Sequence, residues 1–434
     1  MPESNTFDAA ISSTASASIV HVSPFDASRN EDVETAAYSS LLSPIDFPSL
    51  TDAVVPGDHV VLAIDPNVPR IVEVVAGVMR AISETEAGRV DVVLWDEASD
   101  AQAEKIAAEI GPTSKVVRHQ GASRRDVRYL AADEGGHPVY LNRLLVDADL
   151  VIPIAACHLG SSEDSFDATG IYPMLVDSAS RKRAMKRTVA RRESASDEKD
   201  PPASWLLGVQ MMLVAIPTDD GDLQGLLCGT AFTIDRHLQS MIPTNEPETS
   251  DLVLVGLTGD DNQTWANAAR AAKAASIHAN PDATIVLWTS IDHGIDPVMA
   301  RSDDDLDDDL DDDLNDDLND DLDDDPENNL DEDSNDRSTN GTIGQRDEVT
   351  GLVTADDEEF PKLDLMQAPR ETLAQIAADY RLMLRSKLDA EVVENTGFGV
   401  IESIEQWTRL SGSFDECLVL GGAQFLAPLT PQNG

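Results

Sequence analysis

The stretch Ala148-Asp-Leu-Val-Ile-Pro-Ile-Ala-Ala-Cys-His158 decides the fold. Apolar residues fill it without alternation, which is typical of a strand buried on both faces of a parallel sheet. The strand is followed directly by a histidine. Because ligands of open α/β sheets bind at the carboxyl ends of the strands, His158 is a candidate acid/base residue or metal ligand.

Further strands and helices alternate on both sides of this stretch. The patterns predict strands at 59–65, 90–95, 115–119, 139–145, 150–156, 210–217, 223–232, 251–255, 283–289 and 417–420, and helices at 70–83, 100–110 and 264–278. This alternation predicts an α/β fold with two α/β domains, whose mainly parallel sheets flank a central cleft. We expect a disordered tail at 1–40, an N-terminal domain at 41–248 and a C-terminal domain at 249–434. A disordered acidic low-complexity insertion is expected at about 300–357.

That insertion is the most concentrated source of the net charge of −50. Residues 303–336 hold 21 acids and no basic residue, and leucines recur every four residues from 306 to 322. Adjacent aspartates repel each other and Asp is a poor helix former, so the segment is interpreted as a disordered expansion of a surface loop. Cation association is the alternative, although the glycine and terminal Glu of an EF-hand loop are missing.

Composition also excludes several classes of partner. The other 400 residues still carry a net charge of −29, which argues against nucleic acid and anionic membranes. No stretch approaches the ~20 apolar residues that span a bilayer, and residues 1–30 lack the features of a signal peptide. We therefore expect a cytoplasmic protein. The three widely spaced cysteines are interpreted as small buried hydrophobes, and the basic run at 181–192 as a solvated helix.

Other residues are candidates to share a site with His158. Asp65 ends the first predicted strand, where it is expected to orient His158 or a substrate hydroxyl, or else to cap a helix. Arg270, on the predicted helix 264–278, suits bidentate capture of a carboxylate, and a surface salt bridge is the alternative. His119 and His137 are weaker candidates, since such histidines are more often exposed or internally hydrogen-bonded.

In chain order, these segments resemble the nickel-pincer lactate racemase (LarA-like) family. The matching segments are Ser49 to Asp65, residues 133–142, residues 149–158, residues 205–231 and residues 267–287, collinear within about 42–295. The resemblance implies two α/β domains with the active site between them. It also implies that a nickel-pincer cofactor on a lysine takes a hydride from a 2-hydroxy acid and returns it, while two histidines act as alternate bases and a third ligates nickel.

The resemblance assigns roles to only a few residues here. His158 matches one catalytic histidine, and Asn267 and Arg270 match the glutamine and lysine on the substrate side. Ser99 stands where the second catalytic histidine belongs. Residues 160–170 contain no lysine for the cofactor, and no histidine follows His158 before residue 237 to ligate nickel.

Two hypotheses of function follow. The first is a racemase of small 2-hydroxy acids that keeps the nickel-pincer nucleotide, with Lys182 or Lys186 replacing the missing lysine. The second is a catalytically inactive relative with no cofactor, which binds a small carboxylate or acts as an interaction scaffold. The family resemblance favours the first hypothesis, and the replaced residues favour the second. Under both hypotheses, the residues expected to line the site are His158, Asp65, Asn267 and Arg270.

Overall fold

The computed structural model describes residues 6–23, 25–132, 136–159, 169–184, 207–241, 247–259, 262–295, 360, 364 and 366–426. All of them belong to one compact unit. The second unit, Met299–Asp357, lies outside the described residues, and the Asp/Leu repeat lies within it. Disorder and cation association of the repeat therefore stay predictions.

The described residues form helices and strands that alternate along the chain. The helices are α1 (Thr6–Ser12), α2 (Val33–Leu42), α3 (Leu50–Ala53), α4 (Ile71–Ser83), α5 (Asp100–Ile110), α6 (Arg143–Val146), α7 (Ala231–Met241), α8 (Trp265–Ile277), α9 (Gln367–Asp379), α10 (Ala390–Asn395) and α11 (Ile404–Ser411). The strands are β1 (Ser18–Val22), β2 (His59–Ile64), β3 (Arg89–Leu94), β4 (Val116–Arg118), β5 (Val127–Ala132), β6 (Pro138–Asn142), β7 (Leu150–Ala156), β8 (Met212–Pro217), β9 (Leu223–Gly229), β10 (Ser250–Gly256), β11 (Ala279–Trp288), β12 (Arg381–Arg385), β13 (Gly399–Val400) and β14 (Glu416–Leu420).

Two six-stranded sheets organise these elements. The first sheet has the order β4–β3–β2–β7–β8–β9 and is parallel except where β9 joins β8. The second sheet has the order β1–β14–β10–β11–β12–β13 and is parallel throughout. A separate antiparallel hairpin joins β5 and β6. The predicted fold class, mixed α/β with mainly parallel sheets, is confirmed.

The apolar runs of the sequence form hydrophobic cores against the two sheets. All seven residues of β7 are buried, as the unbroken run from Leu150 predicts. On α4, Ile71, Val74 and Val78 recur at helical spacing and pack into the core of the first sheet. Each such side chain contributes about 1.5–3 kcal/mol of burial free energy. In the second sheet, the alanine-rich helix α8 is buried along most of its length.

Where the structure describes the tail expected at 1–40, at residues 6–23 and 25–40, the chain forms α1, β1 and most of α2. Strand β1 pairs in parallel with β14, from Ser18 opposite Glu416 to Val22 opposite Leu420. Helix α2 lies so close to α4 that a Cβ on Gly77 would come within 2.3 Å of the Glu34 carbonyl oxygen. These partners are distant in sequence, so the weak local patterns of residues 6–40 do not predict the contacts. The domain boundaries stay predictions.

The predicted strand 223–232 is also corrected. It ends at Gly229, and α7 follows from Ala231. Of the helices in the described residues, none combines the length and apolar character needed to cross a membrane.

Candidate functional site

The order of strands in the first sheet creates a topological switch point. The chain runs from β2 outward to β3 and β4, and later places β7 on the opposite side of β2. A crevice therefore opens between the carboxyl ends of β2 and β7, where ligands of such sheets bind. Asp65 directly follows β2, and His158 follows β7 by two residues. The structure thus brings these two predicted residues together.

His158 and Asp65 form a buried hydrogen-bonded pair. Nε2 of His158 lies 3.2 Å from Oδ2 of Asp65, and both residues are almost inaccessible to solvent. The same carboxylate accepts hydrogen bonds from the backbone N–H of Ala156 and of Asn67. Burial alone would raise the pKa of Asp65, but His158 and the two N–H donors outweigh it and hold the pKa below its ordinary value.

The ionised carboxylate determines which imidazole nitrogen carries the proton. A carboxylate only accepts hydrogen bonds, so Nε2 of neutral His158 must carry the hydrogen and Nδ1 must hold a lone pair. Nδ1 is buried and has no hydrogen-bond partner among the described residues. The ring of Phe425 lies against the imidazole, with 6.1 Å between ring centroids. The pair therefore presents one unused basic nitrogen.

A chain of amide hydrogen bonds leads from this pair to the second sheet. Asn67 donates from Nδ2 to Oδ1 of Asp65 at 2.8 Å. Its own Oδ1 accepts a 2.8 Å bond from Nδ2 of Asn267, which lies on α8. Oδ1 of Asn267 in turn accepts from Nη1 of Arg270 at 2.8 Å. The four predicted site residues are therefore members of one buried network, which Asn67 joins together.

Arg270 already holds a carboxylate. Its Nη2 donates to both oxygens of Glu97, at 2.9 and 3.1 Å. The Arg270 side chain is 1% exposed and that of Glu97 is 17% exposed. The contact is thus neither the bound ligand nor the surface salt bridge that the sequence suggested, but an internal ion pair between the two sheets. Glu97 lies three residues beyond β3, in the same row of strand ends as Asp65.

Ser99 has a structural role at the position that the resemblance assigns to a second catalytic histidine. Its Oγ accepts from the backbone N–H of Gln102, and Oε1 of Gln102 accepts from the N–H of Ser99. This capping box begins α5. Gln102 also donates to the carbonyl of Pro66, beside Asp65. The serine thus fixes the loop that carries Glu97.

The other predicted histidines lie apart from the network. His119 is buried, and its Nε2 donates to the Val176 carbonyl while Nδ1 accepts from Asn142. Burial lowers the pKa of His119, which keeps the ring neutral. His137 is exposed just before β6. Neither contributes a hydrogen bond to the His158 network within the described part of the chain.

Sequence reasoning missed Asn67 and Glu97. An Asx turn, in which the Asn67 N–H bonds the Asp65 side chain, is a local signal that the Asp-Pro-Asn sequence offers. Glu97 follows a buried strand in the same way as Asp65 does, and acids at the ends of parallel strands share one edge. The partner of Glu97 lies 173 residues away and could not be read from local pattern.

The described residues at this edge do not fit a nickel-pincer nucleotide. Among the described residues, no group of three or more His, Cys, Asp or Glu side chains could hold a metal ion. The asparagine and arginine side chains facing the site bond one another and Glu97. Lys182 is partly buried in the helical segment 178–184, while Lys186 and residues 160–168 lie outside the described residues. A lysine anchor at either position stays a hypothesis.

The cysteines offer no nucleophile or metal ligand at neutral pH. All three are free and buried. Burial raises the pKa of the thiols of Cys228 and Cys417 to about 12, and raises that of Cys157 as well. These thiols stay protonated, which agrees with their interpretation as small hydrophobes.

A surface groove of about 540 Å³ borders the network at Pro66 and Asn262. Its arginines are also neutralised from within the chain. Arg29 pairs with Asp220, and Arg70 pairs with Glu73. The groove therefore presents no concentrated positive charge to an anion.

Comparison with known proteins gives a likeness of fold and no likeness of sequence. No family model matches the chain, and no curated protein matches it. The lactate racemase apoprotein from Thermoanaerobacterium thermosaccharolyticum has a similar structure, with a TM-score of 0.60 at 11% identity over 96% of this chain and 95% of that one. A protein from Thermotoga maritima, solved by structural genomics, has a TM-score of 0.53 at 9% identity over 86% and 93% of the two chains. The chain therefore has a LarA-like fold.

Proposed function

We propose that this chain is a LarA-like protein that binds a small 2-hydroxy acid, or another small carboxylate, at the carboxyl ends of β2 and β7. The observation that carries the proposal is the buried network that links His158 to Arg270 across the switch point. This network contains a guanidinium, an amide and a basic nitrogen, which are the kinds of group that bind a hydroxy acid. We propose no cofactor for this binding, and neither a nucleic acid nor a membrane as partner.

Each side chain has a distinct task in this proposal. Arg270 binds the carboxylate, because a guanidinium matches both carboxylate oxygens at once, and Asn267 positions Arg270. Nδ1 of His158 accepts the hydrogen of the substrate hydroxyl. Asp65 keeps the imidazole in the required tautomer and stabilises its protonated form.

These groups support binding and proton transfer but not racemisation by themselves. Inverting the 2-carbon through a hydride requires a group that takes the hydride and returns it, and none of these side chains does so. Racemisation with a nickel-pincer nucleotide is the second candidate function. The fold likeness to a lactate racemase favours it, and the residues at the site disfavour it.

The first experiment measures binding by calorimetry with L-lactate, D-lactate, glycolate and acetate. We expect saturable binding of at least one hydroxy acid to the wild type, weakened about tenfold or more in Arg270→Lys, which keeps the charge and loses the bidentate fork. Arg80→Lys is the matched control, because Arg80 pairs with Glu34 on the surface. If no carboxylate binds at millimolar concentration, the binding proposal is wrong and a scaffold role remains.

A second experiment separates binding from racemisation. The protein is purified from cells that express the pincer-synthesis enzymes, its nickel content is measured, and interconversion of the lactate enantiomers is assayed. We expect no stoichiometric nickel and no interconversion. Stoichiometric nickel together with racemisation that disappears in His158→Ala would instead establish the second candidate.

A further inference from the structure

The bond between Arg270 and Glu97 has the geometry that a bound carboxylate would adopt. Nη2 of Arg270 donates to both oxygens of Glu97, and the guanidinium is shielded from solvent. An external carboxylate cannot contact the same nitrogen while Glu97 stays in place. Whatever binds at Arg270 must therefore compete with a carboxylate of the chain itself.

Glu97 is the more accessible partner of the pair. It lies in the loop between β3 and α5, whereas Arg270 lies on the buried helix α8. On the other side of Arg270, Asn267 is held by Asn67 and by its own bond to the Asn262 carbonyl. The guanidinium is thus fixed from the second sheet, and Glu97 reaches it from the first.

We infer that Glu97 occupies the carboxylate position of the Arg270 site, so that an external monocarboxylate binds there only by displacing it. This inference rests on the proposed function of the site. Glu97 is then the residue that sets the affinity of the Arg270 site for an external carboxylate. The ligand class is a monocarboxylate between acetate and lactate in size, since the vacated space is that of one carboxylate and its methylene.

Charge reinforces this effect of Glu97. Asp65 and Glu97 each bring a negative charge to the network, and Arg270 brings one positive charge. An anion that approaches the intact site therefore meets a net negative charge, which opposes its binding. Removing Glu97 brings the net charge of these groups to zero and takes one carboxylate away from the buried guanidinium, a position that an external carboxylate would fill.

The test is rescue of Glu97→Ala by acetate. We expect the variant to unfold at a lower temperature than the wild type in chloride. Sodium acetate at the same ionic strength should raise its melting temperature in a saturable way. The wild type should not respond to acetate at these concentrations. The inference is overturned if acetate has no effect on Glu97→Ala beyond that of chloride, or if it raises the melting temperature of the wild type equally.

Two controls identify where acetate acts. Glu34→Ala removes the carboxylate of a surface pair with Arg80, so its melting temperature should not depend on acetate. In Glu97→Ala/Arg270→Ala the acetate response should disappear. A response that persists in the double variant would place the acetate elsewhere and contradict the inference.

Glu97→Gln keeps the test decisive if the alanine variant does not fold. The amide retains the shape of the side chain but competes less well for a guanidinium, so acetate and lactate should bind about tenfold more tightly than to the wild type. Equal or weaker binding than to the wild type overturns the inference. If the Glu97 variants bind acetate while the wild type binds no hydroxy acid, the inference holds and the proposed function fails. If the wild type binds a hydroxy acid and the Glu97 variants bind acetate no more tightly than the wild type does, the proposed function holds and the inference fails.

Discussion

Two His–Asp pairs lie at opposite ends of neighbouring strands in the first sheet. Asp65 with His158 lies at the carboxyl end of β2, and Asp91 with His59 lies at the amino end of β3. Both carboxylates are fully buried and both accept from a backbone N–H. In both, hydrogen bonds outweigh burial and lower the pKa of the carboxyl group. Local chemistry alone does not distinguish them.

The surroundings of the two pairs differ. Asp91 also pairs with Arg89, whose side chain is 45% exposed, and His59 is partly exposed. His158 has no arginine beside its carboxylate, is shielded from water, and keeps Nδ1 without a partner among the described residues. Only this pair lies at the switch point of the sheet. A His–Asp pair therefore becomes a candidate site through its position and its unused nitrogen, and otherwise stabilises a strand end.

The largest expected difference between the pairs is in stability. Asp65→Ala removes the acceptor for His158, Asn67 and Ala156 in a place that water does not reach, and each stranded donor costs about 1–3 kcal/mol. We expect a loss of about 3–5 kcal/mol in the free energy of unfolding, measured with urea at pH 7.

The matched variant is Asp91→Ala. Here the N–H of Lys115 is stranded, while the half-exposed Arg89 can regain water. A loss of about 1–3 kcal/mol is expected. Equal losses in the two variants would show that the burial of His158 adds nothing to the stabilisation by its carboxylate partner.

The next difference concerns ligand binding. His158→Gln removes the basic nitrogen that we propose accepts the substrate hydroxyl, so affinity for a 2-hydroxy acid should fall about five- to tenfold. In a Glu97→Gln background, where we expect acetate to bind, the affinity for acetate, which has no hydroxyl, should change little. His59→Gln should alter neither affinity. Calorimetry of the two variants with both ligands checks this, and a parallel loss for acetate would contradict the role given to Nδ1.

Acid dependence is a smaller effect that both pairs should share. The folded pKa values of Asp65 and Asp91 lie below the unfolded value of about 3.9. Their stabilisation is therefore complete above that value and is lost as the pH falls through the folded pKa values. The stability gap between wild type and Asp91→Asn should shrink as the pH falls from 6 to 3 in urea titrations. A gap that stays constant would show that the ionised Asp91 is not what stabilises the strand end.

His119 provides the last comparison, because it is buried and hydrogen-bonds to a backbone carbonyl and an amide instead of a carboxylate. Burial puts the folded pKa of His119 below the unfolded value of about 6.5, so its contribution to stability is complete above that value and falls as the pH drops below it. Between pH 7 and pH 5.5 the wild type should lose more stability than His119→Gln. Urea titrations at the two pH values test this, and parallel losses would contradict it.

Strand ends were predictable from local pattern, but their partners were not. The runs that end at Asp65 and His158 place both residues correctly, since buried parallel strands are unbroken apolar stretches. The same reasoning left residues 1–40 as a tail, because β1 is stabilised by β14 nearly 400 residues away. Glu97 was missed for the same reason, because only the tertiary structure places its carboxylate beside Arg270.

The sequence by itself determined the alternation of strands and helices, the LarA-like fold, and the position of His158 at a strand end. The alternation and the position of His158 follow from periodicity and burial, which act between near neighbours in the chain, whereas the LarA-like fold was predicted from the family resemblance. Only the tertiary structure decided that Asn67 links the two sheets and that Nδ1 of His158 lacks a partner in the described part of the chain. It also decided that Glu97 holds Arg270. Hydrogen bonds and ion pairs depend on atoms meeting within about 3 Å, and the order of residues does not specify those meetings.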